Sequence, residues 1–174
     1  MQNLVQIACV ACLAIATAAA AQPPASQPSA GGTPDKIPFD IPYGTAIGVD
    51  AAKKLLSIAE AEAKRRDWKM NIAVVDPNGD LLAFERMDGA QYASIEVSQR
   101  KASTSARFRR ETRVFYNQFE AGHAYIGTLE PGLVASPGGF PLIEGGKVVG
   151  AIGCSGGTGD QDAAVCKVAA DTIK

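Results

Sequence analysis

The last third of this 174-residue chain constrains its fold most. Pro137-Gly138-Gly139-Phe140-Pro141-Leu142-Ile143 is followed by Gly145-Gly146, Lys147-Val148-Val149-Gly150-Ala151-Ile152-Gly153 and Ser155-Gly156-Gly157-Thr158-Gly159-Asp160-Gln161-Asp162. Two short β runs flank a Gly-Gly pair, which supplies the positive φ angles of a type I′ hairpin. A glycine-rich loop then leads into a closing helix over residues 160–173, with Asp160 and Asp162 at its positive N-terminal end. Ala164, Val165, Val168 and Ala169 are the side chains of that helix available to pack on a sheet. A loop of this kind can turn backbone N–H groups outward and seat a ligand oxygen, although the same geometry also serves merely to join strand to helix. It has neither G-x-G-x-x-G spacing nor a P-loop lysine, so it carries no nucleotide motif.

Upstream, Ala52, Leu55, Leu56, Ala59 and Ala63 form one stripe of a helix predicted over residues 50–66. Residues 70–75 then place Met70, Ile72 and Val74 on one side and Asn71, Ala73 and Val75 on the other. The turn chemistry of Asp76-Pro77-Asn78-Gly79-Asp80 joins this run to Leu81–Phe84 as a β-hairpin. A second helix is predicted over 94–109, with Ile95, Val97, Ala102, Ala106 and Phe108 as apolar members and Gln99, Arg100, Lys101, Arg107, Arg109 and Arg110 as polar ones. Residues 111–136 lack periodicity but hold Phe115, Tyr116, Phe119, Tyr125 and the only histidine, His123, and read as a lid or a partner contact. The order helix, hairpin, helix, hairpin, helix predicts an α+β single domain, a central antiparallel sheet flanked by helices.

Charge and composition narrow the functional classes. A formal net charge of −1 and 6% aromatic residues give no footprint for nucleic acid. Residues 1–21 read as a cleaved signal peptide, apolar from Leu4 to Ala20 apart from Gln6 and Thr17 and ending in small residues. Cys9 and Cys12 sit inside this run rather than at its end, which argues against lipidation. Residues 22–36 form a Pro/Ser/Ala-rich disordered leader, and the folded domain occupies 37–174. The expected location is periplasmic or secreted, with no stable membrane span after cleavage. Cys154 and Cys166 then remain, either as a disulfide or as two small buried hydrophobes.

The order Ala73-Val74-Val75-Asp76, Gly79, Arg86-Met87-Asp88-Gly89-Ala90, Lys101-Ala102, Thr112, Pro131-Gly132, Gly138-Gly139-Phe140-Pro141, Val149-Gly150-Ala151-Ile152-Gly153 and Ser155-Gly156-Gly157 resembles the GlcG/HbpS-like family, from about residue 45 to the end. The resemblance implies a profilin-like or PAS-like fold assembled into homo-oligomers. It also implies haem as ligand for exported members, with haem degradation or redox sensing beside a partner sensor kinase in some. Other members are associated with glycolate use or fused to corrinoid adenosyltransferases. The leader favours the first group, so the expected function is an exported haem-binding protein, with slow haem degradation or a redox-sensing role, more a binding protein than a dedicated enzyme. The alternatives are a binder or enzyme of a small, glycolate-type organic acid and an oligomeric signalling or interaction protein without catalysis.

Haem requires an apolar slot, cations or donors for its propionates, and an axial ligand. Arg86, Lys101 and Arg107 are the candidate propionate partners, each with an ordinary surface or structural charge as the alternative. Met87, Asp88, Thr112, Gly138, Gly139, Gly156 and Gly157 complete the expected ligand-binding set. His123 is the candidate iron ligand, with Met87 and Tyr125 behind it. Haem-binding relatives are associated with a histidine near the start of the domain, and here none precedes residue 123. One histidine and two mature cysteines do not make a zinc site. Ser136 and Ser155 lie in no G-x-S-x-G elbow, which argues against a hydrolytic triad with His123. Asp76 and Asp88 are either catalytic carboxylates or turn formers.

Overall fold

The computed structural model describes residues 36–174, so the expected signal peptide and nearly all of the expected leader lie outside the described residues. Helix α1 (Val49–Arg65) precedes the hairpin β1 (Asn71–Val75) and β2 (Leu81–Arg86). After α2 (Ala93–Phe108) and α3 (Arg113–Glu120) come a 3₁₀ turn (Ala124–Thr128), the hairpin β3 (Gly139–Glu144) and β4 (Lys147–Ser155), and α4 (Gly159–Ala170). The strand order is β2-β1-β4-β3 with every ladder antiparallel, which is the expected α+β arrangement. Both turns form as their residues dictate. Asp76 Oδ1 accepts from the Asn78 and Asp80 N–H groups at 2.8 and 2.9 Å, and Gly145 and Gly146 take φ of 55° and 75°.

The two faces of the sheet are covered differently. On one face Ile72, Val74, Leu142, Ile152 and Cys154 meet Leu55 and Leu56 of α1 and Val165 and Cys166 of α4. On the other Ala73, Val75 and Ala151 meet Ala102 and Ala106 of α2. Large side chains stand on the first face, and burying each contributes about 1.5–3 kcal/mol, so the α1/α4 layer supplies most of the hydrophobic stabilisation. Helix α2 compensates by approaching closely. A Cβ on Gly153 would lie 2.2 Å from the Ser98 carbonyl oxygen and 2.5 Å from the Ala102 nitrogen.

That approach corrects the predicted faces of α2. The buried stripe is Ser94, Ser98, Lys101, Ala102, Ser105 and Ala106, while Ile95 and Val97 are only half-buried. Small residues are required where a helix rides on glycine and alanine. In α4 the inward side chains are Asp162, Ala163, Val165, Cys166 and Ala169, whereas Val168 faces water and Ala164 is half-buried. A capping box between Thr158 and Gln161 starts this helix, and a Cys154–Cys166 disulfide, with Cα atoms 5.6 Å apart, ties it to β4.

The unpatterned segment 111–136 is ordered by two anchors, Phe115 and Ile126, both buried. Residues 39–47 form a strap. β1 ends opposite Ala151, and beyond it the strap takes over the edge of β4: Val148 donates to Pro42 O at 2.9 Å, and Gly44 N donates to Val148 O at 2.8 Å.

Candidate functional site

The glycine loop that the sequence offers as an anion seat is occupied by the protein's own side chains. Gly156 N and Gly157 N donate to Asp162 Oδ1 at 3.0 and 2.9 Å, and Thr158 N donates to Gln161 Oε1 at 2.9 Å. The other carboxylate oxygen of Asp162 accepts from Lys101 Nζ at 2.7 Å, and Lys101 also donates to the Cys154 carbonyl at 3.2 Å. Their side chains are 3% and 1% exposed. Burial pushes the Asp162 carboxyl above its ordinary range, opposed by the Lys101 charge and the two loop N–H groups, and burial likewise lowers the Lys101 ammonium.

Lys101 is therefore an interior ion-pair partner, not a cation facing water or a ligand. The neighbouring glycines of the expected binding set are sites of close packing. A Cβ on Gly139 would lie 2.4 Å from Lys101 O, one on Gly138 would lie 2.8 Å from Cys154 O, and one on Gly156 would lie 2.1 Å from Lys69 O. Thr112 clamps the same region: its Oγ1 accepts from Gly139 N at 2.9 Å while its N–H donates to Gly139 O at 3.1 Å. Thus Lys101, Thr112, Gly138, Gly139, Gly156 and Gly157 do converge, around Asp162, but as a lock between α2, β4 and α4. Asp162 was read only as a complement to the helix dipole. A lone lysine in the Ser94, Ser98, Ser105 stripe, together with an acid in the first turn of the closing helix α4, is the signal for such a pair.

The Arg86-Met87-Asp88 motif separates. Met87 is 7% exposed and packs in the α1/α4-side core, so its thioether is not an axial position. Arg86 is exposed with its guanidinium 5.3 Å from the Tyr92 ring centroid, and Asp88 is exposed in the turn ending at Gly89. Arg107 is the one expected propionate partner that lines a large cleft. This cleft, about 590 Å³, lies between Tyr43, Gly44 and Ala46 of the strap, the Asp76-Pro77-Asn78 turn, and Arg107. Arg107 also walls a smaller cleft of about 320 Å³ with Arg100, Thr104 and Glu130, and is ion-paired there with Glu130.

His123 lies apart from both clefts, just before the 3₁₀ turn. Its imidazole is exposed and makes no hydrogen bond among the described residues. The Tyr125 ring centroid is 5.9 Å away. Phe115 anchors α3 edge-on to Phe108 at 5.0 Å, which leaves Tyr116 and Phe119 outward, 38% and 50% exposed, with Tyr125 and Leu129 beyond them at 57% and 48%. Among the described residues no three His, Cys, Asp or Glu side chains gather as a metal site, and no helix is long and apolar enough to cross a membrane.

A family model described as haem degrading protein HbpS-like matches residues 47–171. Protein GlcG of Escherichia coli K12 is 40% identical over 104 residues, covering 60% of this chain and 77% of that one. The crystal structure of a double mutant of Streptomyces reticuli HbpS superposes with a TM-score of 0.70 at 27% identity, covering 84% of this chain and 99% of its own. A PduOC:heme complex shares the fold, with a TM-score of 0.69 at 24% identity over 75% of this chain and 96% of that one.

Proposed function

The chain belongs to the HbpS-like family, and from that premise we propose that it binds haem at an open surface site built on His123. One observation carries this reading. The only imidazole of the chain stands exposed and, among the described residues, without a hydrogen bond, on a segment that also exposes Tyr116, Phe119, Tyr125 and Leu129. With the Tyr125 ring 5.9 Å from it, this segment offers two of the three things a haem requires, an iron ligand and apolar surface. His123 supplies the iron ligand, and the aromatic side chains shield one macrocycle face from water. A second copy of the chain covers the other face, which makes the binding form a homo-oligomer. Bound haem supplies a redox-active iron, the centre on which slow haem degradation or redox sensing depends.

The assigned role is binding rather than dedicated catalysis, with the buried charges of Lys101 and Asp162 neutralising each other as a structural pair. The Cys154–Cys166 disulfide supports a periplasmic or secreted location, with residues 1–21 as the export signal. Titrating the chain with haem and following absorbance tests the site. A saturable Soret shift that is lost in His123→Ala and kept in Arg107→Gln supports it. A shift untouched in His123→Ala refutes ligation at His123, and no saturable shift refutes haem binding altogether.

A further inference from the structure

The cleft of about 590 Å³ plays no part in haem ligation at His123, and one of its walls lies outside the residues the family model matches. Tyr43, Gly44 and Ala46 precede residue 47. Three arginines around the C-terminal end of α2, Arg107, Arg109 and Arg110, hold the strap that carries them. Arg107 accepts the Tyr43 hydroxyl on its carbonyl at 2.7 Å, Arg109 donates to Ile41 O at 3.0 Å, and the Arg110 guanidinium stacks 3.9 Å from the Phe39 ring centroid. The opposite wall is stiff, because Asp76 is held in its own turn by Asn78 N and Asp80 N, with Pro77 as its apolar element.

Arg107 stands between the two clefts. Its Nη1 donates to Glu130 on the side of the smaller one, which fixes the side chain. Among the described residues its remaining N–H donors bond no protein acceptor, and the guanidinium is about half exposed. A volume near 590 Å³ lies within the roughly 300–1,000 Å³ range of small-molecule sites. The lining combines one planar, forked cation with the Tyr43 ring, Ala46, Pro77, Asn78 and one carboxylate, Asp76, whose Oδ1 is taken up by the Asn78 and Asp80 N–H groups.

We propose that this cleft binds a small molecule carrying a carboxylate on a planar apolar body. The carboxylate pairs with the free fork of Arg107, which matches its geometry, and the body lies against Tyr43 and Pro77. Because the strap is one wall, the ligand binds only the docked form of residues 39–47 and by linkage stabilises that docking. The carboxylate belongs to a free acid, since the haem site at His123 lies apart from this cleft.

Calorimetric titration of the full chain with benzoate tests the site, with acetate and benzamide as probes of the charge and the body alone. Benzoate is expected to bind saturably, with acetate and benzamide weaker by about tenfold or more, the loss corresponding to one charge-assisted hydrogen-bonded contact. Arg107→Gln should lose a similar factor. Tyr43→Phe keeps the ring but drops the bond to Arg107 O, so it should weaken benzoate less and open the strap to protease, with benzoate restoring protection. His123→Ala should leave benzoate binding unchanged, which separates this site from the haem site. Benzoate binding that haem does not disturb supports a free acid at a site separate from haem, and displacement of benzoate by haem overturns that separation. No saturable benzoate binding, or equal binding in Arg107→Gln with unchanged circular dichroism, overturns the proposal.

Discussion

Removing Asp162 should destabilise the protein more than removing Lys101, although the two form one ion pair. In Asp162→Ala the Lys101 ammonium stays buried with only the Cys154 carbonyl at 3.2 Å to receive it. The N–H of Gly157 is next to solvent and Gly156 is half-buried, so water partly replaces the lost carboxylate there. The stranded ammonium dominates, and breaking a buried pair in this way costs about 3–5 kcal/mol. Burial favours the neutral form of either stranded group, but in Lys101→Met the carboxylate also keeps both loop N–H donors. Those retained bonds make the loss smaller, about 2–3 kcal/mol. The double variant should cost less than the sum, with a coupling of about 1–3 kcal/mol. Urea unfolding of the four forms at pH 7, followed by tryptophan fluorescence and circular dichroism, measures all three quantities. Additive losses, or a larger loss in Lys101→Met, would refute the reasoning that an unpaired ammonium is the costly species.

Three further outcomes are expected. Gly153→Ala should lower stability by roughly 1–3 kcal/mol or more, read as a fall in Tm, because its Cβ would meet backbone of α2 that cannot turn aside. Reducing the Cys154–Cys166 bond, or replacing both cysteines by alanine, should cost about 3 kcal/mol from loop-closure entropy at a separation of 12 residues, and equal denaturation midpoints with and without reductant would contradict this. Glu62 is held at about 2 by hydrogen bonds from Arg65 and then Arg66, below its ordinary 4.5. Its contribution is therefore present above pH 4.5 and disappears as pH falls toward 2, so Glu62→Gln should flatten the acid limb of a stability–pH profile in that window.

The hairpins, α1 and the α+β order could be read from sequence because local chemistry decides them: Asp76 and Gly79 make one turn, and Gly145-Gly146 the other. The face of α2 could not, because ranking residues by hydrophobicity places Ile95 and Val97 inward. The actual inward face is chosen by how closely the helix must approach Gly153, a long-range steric fact. The same limit hid the partner of Lys101, which is 61 residues away in sequence. The expected ligand glycines lie together in space, but telling an anion seat from one that a carboxylate of the same chain already fills requires pairing Lys101 with Asp162 across 61 residues. Arg107 and His123 were identifiable as residue types, while their separation depends on the strap and on the anchoring of Phe115. Residues 111–136 hid two short elements, since eight residues of helix are too few to show a clear period.

The position of β4 bears on when the protein can fold. It is the last strand in the chain and yet lies inside the sheet, between β1 and β3. Until residues 147–155 are available, β1 and β2 form a lone ribbon, and a two-stranded ribbon is barely stable in water. The sheet thus cannot close until nearly all of the chain has been made. Insertion of β4 then closes the sheet and, in the same event, presents Cys154 to the incoming Cys166.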